Sequence, residues 1–77
     1  MNESETILII DDELQIRRLL EITLSANGYR IVHSASGKEG LIDAATLHPS
    51  AIILDLGLPD TDGHEILKKL REWYTKP

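Results

Sequence analysis

Cysteine is absent from the 77 residues, and so is phenylalanine. Without thiols the chain can form neither a disulfide staple nor a thiolate metal site. One tryptophan and two tyrosines are the only aromatics, so the core must be aliphatic, and Leu, Ile and Val supply 23 residues for it. That apolar supply is too large for a disordered chain. It also comes in short pieces, none near the roughly 20 residues that cross a bilayer, so no membrane association is expected. The opening MNESET lacks the basic and apolar regions of a secretory signal, and a cytoplasmic location is the expectation. Positive charge is scarce as well. Eight Lys and Arg against thirteen Asp and Glu leave a net charge of −5. That balance disfavours direct nucleic-acid binding, which needs a basic face. A chain this short makes one small domain at most, and its core contributes only about 3–5 kcal/mol before a ligand or partner helps.

What is present alternates regularly. Thr6–Ile10 (TILII) is short, apolar and β-branched, as a strand buried on both faces would be. From about Leu14 to Ala26 the residues Ile16, Leu19, Leu20, Thr23 and Leu24 recur at helical spacing, with Gly28 placed for a left-handed turn just beyond. YRIVHSA alternates enough for a second strand, nearer an edge. Ser36 to Glu39 (SGKE) matches a capping box, predicting a helix to about Leu47 that Pro49 forbids from continuing. AIILDL is a third strand. Asp62 is placed to cap a last helix from about Gly63 to Tyr74, with Ile66, Leu67, Leu70 and Trp73 on its inner face. Trp73 and Tyr74 read as core and rim packing, and Lys68, Lys69 and Arg71 as an exposed face.

Strand and helix thus alternate three times with short connections. That order specifies an α/β parallel sheet with right-handed crossovers, in which ligands bind at the carboxyl ends of the strands. The first strand ends on Asp11-Asp12-Glu13 and the third on Asp55. If these strands are neighbours, three carboxylates meet at one rim. Like charges there repel by roughly 4 kcal/mol per pair at an effective dielectric near 20, so a cation is the natural occupant. Magnesium suits hard oxygen ligands of this number. The alternative is that Asp12 or Glu13 merely caps the first helix in solvent. His33, His48 and His64 fall in three separate elements without ligand spacing.

ILIIDDE, followed some forty residues on by IILDLGLPDTDG, closely resembles the receiver domains of bacterial two-component response regulators. The loop LDLGLPDTDG is most similar to the subgroup with winged-helix output domains, Kdp potassium-transport regulators above all. The resemblance implies the three-layer, flavodoxin-like (CheY-like) fold, here as a (βα)3 half with strand order 2-1-3. It implies that Asp55 accepts a phosphoryl group from a sensor histidine kinase with Mg²⁺, or with Mn²⁺ as a substitute. Asp12 would then ligate the metal directly, Asp11 largely through water, and Gly57 through its backbone carbonyl, while Pro59 and Gly63 shape the loop.

Only the first three of the family's five strand-helix units are matched, and no output domain is expected within residues 1–77. The Ser or Thr that ends strand 4 and the Lys that ends strand 5 have no counterpart. Lys38, Lys68, Lys69 and Lys76 end no predicted strand. Impaired phosphoryl transfer is therefore expected, in a signalling module and not an enzyme. A phosphatase with an aspartate nucleophile would want a second acid at position 57, which is glycine. A structural half-domain with a vestigial acidic site is the other alternative. The outer edge of AIILDL should lack a neighbour, and it contains no lysine or proline to discourage pairing. A homodimer or higher oligomer through strand 3 and the last helix is the expectation.

Overall fold

The computed structural model describes residues 5–77, so most of the MNESET opening lies outside the described residues. Six elements alternate: β1 (Thr6–Ile10), α1 (Leu14–Ser25), β2 (Arg30–Ser34), α2 (Gly37–Leu47), β3 (Ala51–Leu54) and α3 (Gly63–Arg71). The strands form one parallel sheet in the order β2-β1-β3. β1, with hydrogen-bonded neighbours on both sides, is buried from Ile7 to Ile10, which is why its sequence is apolar without alternation.

Local chemistry sets the element ends. Ser36 Oγ accepts the Glu39 N–H at 3.2 Å, which caps α2 as its SGKE sequence predicts. α2 then stops at His48, whose φ of 48° is left-handed, immediately before Pro49. Gly28 has a φ of 90° in the turn after α1, a backbone conformation that side chains disfavour. β3 is shorter than AIILDL, ending at Leu54, so Asp55 and Leu56 already belong to the following loop.

Alternating residues of the strands face opposite sides. Leu8 and Ile10 join Ala44, Leu58, Ile66, Leu70 and Tyr74 in the main core cluster under α2 and α3, with Val32, Ile52 and Leu54 packed against it. Ile7 and Ile9 point the other way, beneath α1. His33 of β2 shares that second side, its Nε2 lying 3.1 Å from Glu21 of α1.

Two packing expectations need correction. Trp73 is 45 % exposed, whereas Tyr74 is only 6 % exposed and completes the core. The buried stripe of α3 runs Gly63, Ile66, Leu70, and Tyr74, four residues on and with its N–H bonded to the Leu70 carbonyl, continues it, leaving Leu67 and Trp73 off it. The outer edge of β3 is also not wholly unpaired. The chain turns back after α3, and the Pro77 carbonyl accepts the Ile52 N–H at 3.2 Å.

Candidate metal centre

The register of β1 against β3 decides where the acids stand. Ile10 lies beside Leu54, so the next residue of each strand emerges at the same rim. The Asp55 N–H donates to the Ile10 carbonyl at 2.9 Å, extending the ladder by one bond past the strand. As a result Asp11, Asp12 and Asp55 each place one carboxylate oxygen within 4.8 Å of the others. Asp11 and Asp55 are half-buried, and Asp12 is exposed.

Each half-buried member is held by backbone. The Asp11 N–H donates to the Ser34 carbonyl at 3.1 Å, which ties the acidic turn to the end of β2. Asp11 Oδ1 accepts the Glu13 N–H at 2.9 Å, and its carbonyl accepts Arg17 Nη1 at 2.7 Å. Helix capping by Asp12 or Glu13 is not what the turn shows. Glu13 occupies the N-cap position and makes no side-chain cap bond. Asp55 Oδ1 accepts the Gly57 N–H at 2.9 Å, leaving its second oxygen free of protein donors among the described residues.

The loop from Asp55 to Asp62 is anchored at four further points. Leu58 is buried in the core cluster. Asp60 reaches across to α2, its two carboxylate oxygens accepting the Gly37 and Lys38 N–H groups at 2.9 and 3.1 Å. Those two backbone donors hold the Asp60 carboxyl below the usual carboxylate range. Asp62 caps α3 as expected, accepting the His64 N–H at 2.9 Å, and that bond together with the His64 ring keeps its carboxyl low too. Gly63 is required by proximity. A Cβ there would overlap Leu56 Cα and lie 2.7 Å from the Asp55 carbonyl oxygen. At Gly57 a Cβ would meet Asp55 Oδ1 at an ordinary 3.6 Å, so space does not demand glycine there.

Of the residues singled out from the sequence, Asp11, Asp12 and Asp55 converge, Gly57 and Pro59 lie in the loop that follows Asp55, and Gly63 opens α3 behind it. His33, His48 and His64 sit on β2, at the end of α2 and at the start of α3, and none joins the acidic group. Asp60, Leu58 and Arg17 were not anticipated. Every helix start leaves backbone N–H groups in need of acceptors, which is the signal that α2 required help; its source, 22 and 23 residues away, is set by tertiary packing.

The donor set fits a small divalent cation. Three carboxylate oxygens are hard ligands, and no nitrogen or sulfur donor competes. Among the described residues no Lys or Arg nitrogen lies within 4.0 Å of a carboxylate oxygen, since both ion pairs present use histidine. The trio therefore carries its charge without a basic side chain in contact.

Residues 7–77 match the family described as the response regulator receiver domain. The KDP operon transcriptional regulatory protein KdpE of Escherichia coli is 46 % identical over 71 residues, covering 92 % of this chain and 32 % of that protein. KdpE of Mycobacterium tuberculosis is also 46 % identical, with 92 % and 31 % covered. The chain thus spans about a third of the length of these relatives. A CheY-like receiver domain from Methanospirillum hungatei superimposes with a TM-score of 0.90 at 29 % identity, covering 94 % of this chain and 58 % of that one. The Thermotoga maritima response regulator TrrA, solved in complex with Mg²⁺-BeF, gives 0.87 at 33 % identity, with 91 % and 61 % covered. A 2-1-3 parallel sheet with acids at its carboxyl rim, matched by sequence and by structure alike, leaves one assignment: the chain belongs to the response regulator receiver domain family.

Proposed function

We propose that Asp55 accepts a phosphoryl group from the phosphohistidine of a sensor kinase. One Asp55 oxygen attacks phosphorus while the phosphorus–nitrogen bond breaks, giving an acyl phosphate and an imidazole that regains its proton from water. The observation that carries this reading is the convergence of Asp11, Asp12 and Asp55 at one rim. Asp55 Oδ1 is engaged by the Gly57 N–H, so Oδ2 is the oxygen assigned to attack. Asp12, Asp55 and the Gly57 carbonyl would hold Mg²⁺ or Mn²⁺, with Asp11 acting through water. When bound, the metal offsets negative charge on the phosphoryl oxygens. Among the described residues no lysine contacts the trio. If a lysine and a hydroxyl count like other oxyanion donors, a stretch acting without them forgoes about 2–4 kcal/mol of transition-state stabilisation.

Incubation with acetyl phosphate and Mg²⁺, followed by intact-mass and peptide mapping, tests the proposal. Slow addition of one phosphoryl group at Asp55 is expected, abolished by Asp55→Asn and reduced by Asp12→Asn. Labelling that survives Asp55→Asn would overturn it. Fast stoichiometric labelling would show that the stretch needs no further donors.

A second copy is proposed to cover β3 and α3. The support is apolar surface on that side: Leu67 and Trp73 are exposed, and β3 has a strand on one side only. Sedimentation at micromolar concentration is expected to show a dimer, and a well-folded monomer would refute it.

A further inference from the structure

Arg17 is the cation nearest in sequence to the paired acids on α1, yet it contacts none of the three carboxylates. Its Nη1 instead donates to the backbone carbonyl of Asp11 at 2.7 Å, a short charge-assisted bond. Its Nε is buried without a hydrogen-bond partner. An unpaired buried donor is unfavourable, and an aliphatic side chain would fill the same space without it. Neutralising the acids does not explain the residue either, because an ion pair with Asp11, Asp12 or Asp55 is not made. What the contact does achieve is geometric. Asp11 is fixed at its N–H by Ser34, at its carboxylate by Glu13 and at its carbonyl by Arg17. Of these three restraints only the last comes from a side chain outside the turn, and it joins the turn to the first full turn of α1.

We infer that Arg17 is a positioning residue for the metal centre: it latches the Asp11 carbonyl to α1 and so aims Asp11 and Asp12 at Asp55 without itself engaging any carboxylate oxygen of the trio. This rests on the reading that the trio holds a divalent cation. A lysine in its place retains the charge but has a single ammonium in place of a planar fork. A methionine retains the apolar stem and loses both.

Mn²⁺ titration, followed by paramagnetic broadening of the Asp12 and Asp55 amide signals, separates these effects. Arg17→Met is expected to bind Mn²⁺ about tenfold more weakly, as outer partners of metal ligands commonly do, with Arg17→Lys in between. Equal or tighter binding by Arg17→Met would overturn the inference, because a purely electrostatic role predicts that removing a nearby positive charge strengthens metal binding. Asp12→Asn tests the metal reading itself. If wild type and Asp12→Asn respond alike to Mn²⁺, that reading fails, and the latch is judged on the metal-free protein by hydrogen exchange. There the Glu13 amide should exchange on the order of tenfold faster in Arg17→Met, with β1 amides unchanged. An unchanged Glu13 amide would overturn the latch. Should Arg17→Met not fold, Arg17→Lys supplies both measurements, and wild-type behaviour in both would overturn it.

Discussion

The two sides of the sheet are built from the same strands and differ in how well they are closed. Beneath α2 and α3, even-numbered residues of β1 and β3 enter a continuous cluster that also takes in Leu58 from the loop and Tyr74 from beyond the last helix. Beneath α1, Ile7 and Ile9 are covered, but Ile53 is 37 % exposed, and on the helix Leu19 and Ile22 are 60 % and 69 % exposed. No residue of α1 is fully buried. Two helices and a loop close the first side, and a single helix covers only part of the second. The comparison teaches that stability and the placing of Asp55 come from the same side, because the loop after Asp55 is anchored there through Leu58, Asp60 and Gly63.

The sharpest way to break the comparison is to truncate neighbours in β1. Ile9 and Ile10 are both fully buried, one on each side. Ile10→Ala is expected to cost about 2–5 kcal/mol, since the α2 backbone at Gly40 already packs directly on Ile10 and leaves little freedom to collapse. Ile9→Ala should fall at the lower end of that range, because a loosely covered α1 can settle into the space. Urea unfolding of the pair measures the difference, and equal losses would erase the distinction. Next, Gly63→Ala should destabilise by about 1–3 kcal/mol through overlap with Leu56, and should displace the Asp55 loop in amide spectra. Leu19→Ala and Ile22→Ala should change stability by no more than about 0.5 kcal/mol. Larger, concentration-dependent losses would mean that a second copy covers α1 in solution.

The smallest effect is confined to the Asp60 bridge. Its carboxyl is lowered in the folded chain by the Gly37 and Lys38 N–H bonds. A depressed carboxyl contributes stability that is fully present above its unfolded value near 3.8 and is lost as pH falls through the lower folded one. The Gly37 and Lys38 amides should therefore exchange faster, relative to other α2 amides, on acidification below that window. Asp60→Asn should show the faster exchange already at neutral pH.

Much of this molecule is legible in its sequence because the signals are local. Apolar runs mark β1 and β3, SGKE marks the start of α2, and the order of elements fixes a parallel sheet. The meeting of Asp11, Asp12 and Asp55 follows from that order once β1 and β3 are adjacent. What sequence does not carry is long-range pairing of polar groups. Asp60 reads as one more loop aspartate until α2 supplies two donors for it, and nothing in the sequence singles out Arg17, whose partner is the Asp11 carbonyl. Trp73 and Tyr74 were exchanged for a related reason. Positions three and four residues beyond Leu70 both fit helical spacing, and a tertiary contact, the Tyr74 hydroxyl on the Pro49 carbonyl, goes with burial of the second.

That tyrosine closes a ring. Its hydroxyl, buried, donates to the Pro49 carbonyl at 2.8 Å, joining the exit of α3 to the entry of β3. The segment between them, whose ends are 25 positions apart, then forms a loop whose closure entropy grows only slowly with length, so a single bond at its neck is an efficient constraint. A segment closed in this way tends to open as one cooperative unit, and the loop after Asp55 lies inside it. Burial raises the Tyr74 hydroxyl above its ordinary value near 10, against a smaller opposing pull from Arg71, so the neck keeps its donor proton through the neutral and mildly alkaline range. Asp55 and its loop thus belong to a unit whose clasp lies at the amino ends of the strands, with the acids at the other, carboxyl rim.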